Sequence, residues 1–237
     1  MFNTKSAYFY GVLLGDGHIN YTKKAIANRD NKDDRRGPVM VLKATDYDFV
    51  EKWRNCIEDI TGYKYAISEV QPRDKKHHMQ YIVRCAKRWF VDEAEKETNH
   101  KTKIPIGIMK GLPEIQKEFL VGLMDSEGWV NMYLSSLSMC DLTLGFGCAD
   151  DFFGDVYRMF QGLGIKVSKV YHRKPNRRKD GSLCKPLRLF RIDINDYLNA
   201  GMGFNIKRKT DRLAFISGIL NDYTQSYPKY KDYFRGR

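Results

Sequence analysis

The chain has 237 residues, 42% hydrophobic and 30% charged, a globular rather than disordered composition that allows one large domain or two packed halves. Lys and Arg number 41 against 29 Asp and Glu, and the resulting +12 favours polyanionic partners. The five cysteines are odd in number and lack a C-x-x-C pair, which argues against a disulfide framework or zinc knuckle. The only early apolar stretch, residues 7–14, is too short for a leader or a membrane span, so an intracellular protein without membrane contact is expected.

From the N-terminus, residues 9–17 form an apolar stretch with Gly11 and Gly15 one turn apart, closed by Asp16 and Gly17. It is apolar all round, as expected of a helix buried on every side. A period-two strand follows over residues 18–24, then a charged tip, then a second strand over 39–44. Asp46 is placed to cap a helix carrying Phe49, Val50, Trp53, Ile57 and Ile60, which Gly62 ends. Strands over 63–70 and 80–86 and a helix from Arg88 complete the half. A linker is expected over residues 105–113.

The order then repeats. Residues 120–128 again form an apolar stretch, with Gly122 and Ser126 one turn apart, closed by Glu127 and Gly128. Strands over 129–134 and 143–148 follow, then a helix capped by Asp150 with Gly162 or Gly164 at its end. Further strands are expected over 165–172 and 186–194, joined by a basic loop holding Asp180-Gly181. The organisation read from this pattern is a first repeat over 1–104, a linker over 105–114, a second repeat over 115–222 and a tail over 223–237. The fold class is α+β, two αββαββα repeats with antiparallel hairpins.

Small residues one turn apart let two helix backbones approach within the usual ~8–10 Å separation, so the two motif helices are expected to pack on each other and join the halves. Asp16 and Glu127, 111 positions apart, then stand at helix C-termini, facing the negative end of the dipole. They either cap helices or share the task of holding a divalent cation. Oxygen-only donors without a His or Cys cluster point to Mg²⁺, with Mn²⁺ or Ca²⁺ able to take the same place. A cation between carboxylates and a phosphate activates water and stabilises a leaving oxygen.

These two motif copies resemble those of the LAGLIDADG homing endonucleases in their single-chain, double-motif form, and the resemblance covers nearly the whole chain. It implies pseudo-two-fold repeats packed through central motif helices, with antiparallel sheets forming a DNA-binding saddle. It also implies a monomer that makes a staggered, metal-dependent double-strand cut at a long, asymmetric DNA site. Asp16 and Glu127 correspond to the family's metal ligands, with Gly15 and Ser126 beside them. Leu14 departs from the motif where Asp125 keeps it, at a position that is not a metal ligand. Family sites also hold basic side chains. Lys43, at the end of the second strand, fits that role, and its counterpart stretch Phe146-Gly147-Cys148 offers no base. Lys103, before Ile104-Pro105, and Lys207 or Lys209, before the last helix, are further candidates; Lys43, Lys209 and Lys103 are preferred in that order.

Strand alternation supplies a reading face. Counting by twos from the acids gives His18, Asn20, Thr22 and Lys24 in one half and Trp129, Asn131, Tyr133 and Ser135 in the other. The opposite parity, with Ile19, Tyr21, Val130, Met132 and Leu134, is apolar and should pack under helices. Arg84, Arg188 and Arg191 extend the polar set, with His172 and Gln80, and such faces suit major-groove edges. Arg173, Lys174, Arg177 and Arg178 are candidates for phosphate contact, as is the loop over 29–36. The leading functional expectation is a site-specific DNA endonuclease. The alternative is an intron maturase that binds its own intron RNA, with or without cutting. Met1 opens the chain and no terminal His-Asn pair closes it, so a free-standing product is expected rather than an intein-embedded one.

Overall fold

The computed structural model describes residues 2–21, 37–71, 78–136, 139–175 and 182–226. The chain divides into two compact units, Met1–Ser126 and Glu127–Arg237. The first unit runs α1 (Thr4–Leu14), β1 (His18–Asn20), β2 (Val39–Ala44), α2 (Tyr47–Thr61), β3 (Ile67–Val70), β4 (Gln80–Cys85), α3 (Arg88–Thr98), α4 (Ile106–Met109) and α5 (Pro113–Glu127), whose last residue opens the second unit. The second runs β5 (Gly128–Ser136), β6 (Met139–Cys148), α6 (Phe153–Gly162), β7 (Tyr171–Arg173), β8 (Leu187–Ile192), α7 (Ile194–Asn199) and α8 (Lys207–Ser226). Each unit holds one four-stranded antiparallel sheet, in the orders β1-β2-β4-β3 and β5-β6-β8-β7. The expected α+β class and repeated order are therefore observed, because each hairpin pairs locally and its apolar parity needs a helix to cover it.

Helix α1 starts on a capping box: Asn3 Oδ1 accepts from Ser6 N at 2.8 Å, and Asn3 N donates to Ser6 Oγ at 2.9 Å. From Ala7 to Leu14 every residue is buried, as an all-apolar surface requires. Helices α2, α3 and α5 cover it within the first unit, α3 through Phe90, whose ring centroid lies 4.9 Å from that of Phe9. Trp53 of α2 stacks on Phe9, with ring centroids 5.6 Å apart, and its Nε1 donates to the Phe9 carbonyl at 3.3 Å. On the other side lies α5. A Cβ added at Gly11 would fall under 3.0 Å from the carbonyl oxygen of Phe119, and one at Gly122 would fall 2.5 Å from that of Tyr8. The two backbones thus touch where both side chains are a single hydrogen, as the small-residue spacing implied.

The second unit's core is aromatic. Phe146 of β6 and Phe190 of β8 face Phe153, Tyr157 and Phe160 of α6, with centroids 5.2–6.1 Å apart. Cys148, buried beside this cluster, has its thiol pushed up to about 12 by burial. Cys56 and Cys85 are also buried thiols, and Cys184 is half-buried. No helix among the described residues is long and apolar enough to cross a membrane.

Several boundaries differ from expectation for identifiable reasons. The glycines after the acids do not take left-handed caps. Gly17 is needed because a Cβ there would meet the Leu13 Cα at 2.8 Å, and Gly128 begins β5. Gly62 and Gly164 do take positive φ, 74° and 75°; Gly162 is the last residue of α6, Leu163 its C-cap, and Gly164 follows. Asp150 is not the N-cap of α6. Phe152 holds that position, and Asp150 supplies its carbonyl to Phe153 N at 3.1 Å. The long strand expected over 165–172 shrinks to β7. Before it, Val167 forms a lone bridge to Ile192, and Ser168 bonds Arg191 through both backbone and hydroxyl. The stretch expected as a linker contains α4, against whose Gly107 the Phe2 ring packs. Finally, α8 continues through Ser226, into the stretch expected as a tail. The Asp180-Gly181 turn and the whole 29–36 loop lie outside the described residues.

Replacing Gly11 with Val should destabilise the protein by roughly 3 kcal/mol or more, because the obstructing atom is a backbone oxygen that cannot swing aside. Urea unfolding should show a lower midpoint at unchanged slope, and an unchanged midpoint would refute the close approach.

Candidate active site and nucleic-acid face

Asp16 lies exposed in the turn that links α1 to β1. That turn closes through Gly15 N to Gly11 O at 3.2 Å and Gly17 N to Val12 O at 2.9 Å. Glu127 is the last residue of α5, directly before β5, and is half-buried. Both acids therefore occupy a junction between a helix C-terminus and a strand, where the dipole favours positive charge.

A lysine meets that need in each unit. In the first, Lys101 Nζ donates to the Gly15 carbonyl at 3.1 Å and also to the Gly17 carbonyl, so one ammonium gathers the two carbonyls that flank Asp16. In the second, Lys209 Nζ donates to the Gly128 carbonyl at 2.8 Å and lies 5.4 Å from the Phe204 ring centroid. Lys209 is only 7% exposed. The carbonyl one residue past each acid thus accepts an ammonium proton. Lys101 arrives by way of three consecutive left-handed residues, Asn99, His100 and Lys101, with φ of 44°, 57° and 64°. Such backbone costs on the order of 1 kcal/mol or more per non-glycine residue, so it persists only where the surroundings hold it.

Carboxylates and carbonyls are hard oxygen donors, and the Lys101 ammonium shows that the Asp16 turn directs two of them at one positive charge. The donor chemistry suits Mg²⁺, Mn²⁺ or Ca²⁺. No group of three or more His, Cys, Asp and Glu side chains able to hold a metal occurs among the described residues. The Ser126 hydroxyl donates back along α5 to the Gly122 carbonyl at 3.1 Å.

Antiparallel register sorts the sheet residues onto faces, since directly opposed residues point the same way. In the first sheet His18, Val41 and Arg84 are aligned across β1, β2 and β4; Lys43 opposes Ile82, which opposes Ser68. His18, Asn20, Lys43, Arg84 and Gln80 therefore share one face, with Lys43 and Arg84 exposed. Met40, Leu42, Val83 and Cys85 fill the other and are buried. In the second sheet Trp129, Gly145 and Arg191 are aligned, and Asn131 opposes Thr143. Tyr133, opposite Asp141, shares their parity, and Arg173 joins the same face through Leu187.

The position that matches Lys43 is Gly147, two residues beyond the β6 residue that opposes the first sheet-facing side chain of β5. The Trp129 indole covers this space. An added Cβ would come within 3.0 Å of the ring at Gly145 and 3.3 Å from it at Gly147. One sheet thus offers an ammonium where the other offers an indole laid over glycine backbone.

Other expectations shift. Arg188 has the parity of Phe190 and Ile192, opposite to Arg191; its guanidinium sits 5.0 Å from the Phe153 ring centroid and donates to the Asp150 carbonyl, so it serves the α6 packing. His172, which opposes Arg188, lies on that side too. Met132 is exposed although its parity partner Val130 is buried. Lys207 and Lys209 do not precede the last helix; they are in its first turn. Lys103 is exposed, and Lys101, two residues earlier, is the lysine that reaches the motif turn. Arg212, on α8, donates to the Val130 carbonyl at 3.2 Å and to Asn131 Oδ1 at 3.4 Å. Lys174 is exposed after β7, while Thr22, Lys24, Arg177 and Arg178 lie outside the described residues, as do the side chains of Tyr133 and Ser135.

No protein-family model matches the sequence. An uncharacterized protein of Methanocaldococcus jannaschii, MJ0314, is 29% identical over 185 residues, which span 75% of this chain and 60% of that protein's length. Among solved structures, the homing endonuclease I-DmoI in complex with DNA and Mn superposes with a TM-score of 0.52 at 17% identity, covering 83% of this chain and 93% of that one. I-WcaI bound to its DNA recognition sequence gives a TM-score of 0.53 at 12% identity, covering 87% and 85%. I-SmaMI bound to an uncleaved DNA target with calcium ions gives 0.50 at 12% identity, covering 98% and 96%. The fold of this chain is that of the LAGLIDADG homing endonucleases.

Gly145→Ala should push the Trp129 ring off the sheet, because the added methyl also meets the Phe190 carbonyl at 2.7 Å and cannot yield. Tryptophan emission should shift and acrylamide quenching should rise; emission and quenching identical to wild type would show that the ring does not lie there.

Proposed function

We propose that the protein is a site-specific homing endonuclease that hydrolyses DNA phosphodiesters with a divalent metal, making a staggered double-strand cut within a long, asymmetric target. The observation that carries this reading is the matched placement of Asp16 and Glu127. Each ends a motif helix, each opens a sheet, and each is followed by a carbonyl held by a lysine ammonium. The solved neighbours that share the fold hold DNA, with Mn or calcium ions in two of them, which supports the same use here.

In this reading Asp16 and Glu127 each serve as a ligand to divalent metal, Asp16 with the carbonyl of Gly15 beside it and Glu127 with Ser126 beside it. A divalent metal held by these residues would supply Lewis-acid chemistry, lowering the pKa of water and offsetting phosphate charge. The chain's own residues do the rest. Lys101 and Lys209 fix the backbone that carries each acid, so the carboxylates are held in place before substrate arrives. Lys43, exposed on the sheet face, neutralises charge building on the phosphate. His18, Asn20 and Arg84 read base edges from one sheet, and Trp129, Asn131, Tyr133 and Arg191 from the other, while Arg173 and Lys174 contact phosphates. The unlike pair Lys43 and Gly147 gives the two halves unlike surfaces, which suits an asymmetric target read by a monomer.

The test is incubation with a randomised DNA library in Mg²⁺, Mn²⁺ or Ca²⁺. Wild type should select a cleavable site, and Asp16→Asn or Glu127→Gln should each lower cleavage on the order of 100-fold or more without unfolding. Cleavage that survives both substitutions would remove these acids from the mechanism. Tight binding to a structured intron RNA, with no DNA site selected under any metal, would favour the maturase instead.

Lys43→Met should slow one strand more than the other, because Gly147 supplies no matching side chain. A nicked intermediate should then accumulate on gels; equal slowing of both strands would show that Lys43 is not tied to one half.

A further inference from the structure

The seam between α1 and α5 carries a buried polar pair. Tyr8 Oη donates to Asp125 Oδ2 at 2.8 Å, with Tyr8 fully buried and Asp125 only 1% exposed. Burial, and then Asp125, hold the Tyr8 phenol well above its ordinary value. The hydroxyl therefore keeps its proton as a donor.

Shifting the first motif onto the second by the 111 positions that separate the acids pairs Tyr8 with Phe119 and Leu14 with Asp125. The contacts at the glycines obey the same shift: Gly11 faces the Phe119 carbonyl and Leu123 N, while Gly122 faces the Tyr8 carbonyl and Val12 N. The seam is thus two-fold in register. The symmetry mate of the Tyr8–Asp125 pair is Phe119 with Leu14, both of them buried. These two differences between the motif copies, Tyr8 against Phe119 and Leu14 against Asp125, are therefore not independent. Where one diagonal has hydroxyl and carboxylate, the other lacks both.

We propose that these four positions form a pairing code, which makes α1 take α5 as its partner and reject the same helix of a second copy of this chain. A seam of two α1 helices would set Tyr8 against Leu14 twice and leave two buried hydroxyls without that acceptor. A seam of two α5 helices would set Asp125 against Phe119 twice and leave two buried carboxylates without that donor. Only the mixed seam satisfies both diagonals. Specificity arises from what the wrong partners leave unpaired, as much as from the bond itself. The glycines alone could not supply it, since Gly11 and Gly122 are interchangeable in every pairing.

The test uses four full-length chains and reads assembly, so it is independent of nuclease activity. One is wild type. The second, Y8F/L14D/F119Y/D125L, moves the polar pair to the other diagonal. The third, Y8F/D125L, makes both diagonals apolar, and the fourth, L14D/F119Y, makes both polar. Analytical ultracentrifugation over a concentration series should show the two symmetric chains self-associating at concentrations about tenfold or more below the two asymmetric ones. Melting of the transposed chain should match wild type, and Y8F/D125L should melt above D125L alone. Symmetric chains that associate no more than wild type would overturn the proposal. So would a Y8F/D125L chain that melts no higher than D125L, a comparison that holds even if the transposed chain fails to fold.

Discussion

At Gly11 and Gly122 two peptide backbones of the first unit come into direct contact. A side chain at either position would run into a carbonyl oxygen of the other helix, and oxygens within a helix cannot move without breaking it. Much follows from this one restriction. Helix α1 must be apolar on its remaining sides because α2, α3 and α5 enclose it. Gly17 must be glycine because the chain folds back onto Leu13 as soon as the helix ends. Asp16 is left at the surface, in a turn whose carbonyls are gathered by Lys101 rather than by the helix.

The repeat order, the sheet class, strand β2 and the motif helices were legible because their signals are local: period, small-residue spacing and glycine stops. The ends of elements were less so. Helix α6 starts at Phe153 although Asp150 looked like its cap, because an aspartate can also serve through its backbone carbonyl. The segment before β7 has strand-like composition but pairs through a serine hydroxyl and a single bridge, which alternation does not encode. Parity misled at Arg188, where an arginine on a buried face is satisfied by an aromatic ring and a carbonyl from the neighbouring segment.

The placement of both acids where a motif helix gives way to a strand was legible from duplication alone, and that of Lys43 near the end of β2 from strand alternation. Lys101 was not. The sequence offers Lys101 and Lys103 on equal terms before Ile104-Pro105, and only the left-handed run beginning at Asn99 decides which ammonium turns toward the motif. Asparagine and histidine, the first two residues of that run, are among the non-glycine residues that most often take such backbone, and they were the available hint. Lys209 was chosen for its position near the last helix, but its near-complete burial and its bond to Gly128 depend on contacts across the second unit.

The indole of Trp129 over Gly145 and Gly147 constrains any change in the second sheet. A side chain introduced at Gly147 would crowd the Leu189 Cβ, the Arg188 carbonyl and the ring at 3.0–3.3 Å, and one at Gly145 would overlap the ring outright. At Gly145 the carbonyl of Phe190 also stands 2.7 Å from the place of a Cβ, so a smaller ring alone would not admit a side chain there. At Gly147 the ring is one of three close neighbours, with the Leu189 Cβ and the Arg188 carbonyl. A counterpart of Lys43 therefore cannot be gained in the second sheet by one substitution that leaves its neighbours in place, and the unlikeness of the two sheets is a property of their packing rather than of a single residue.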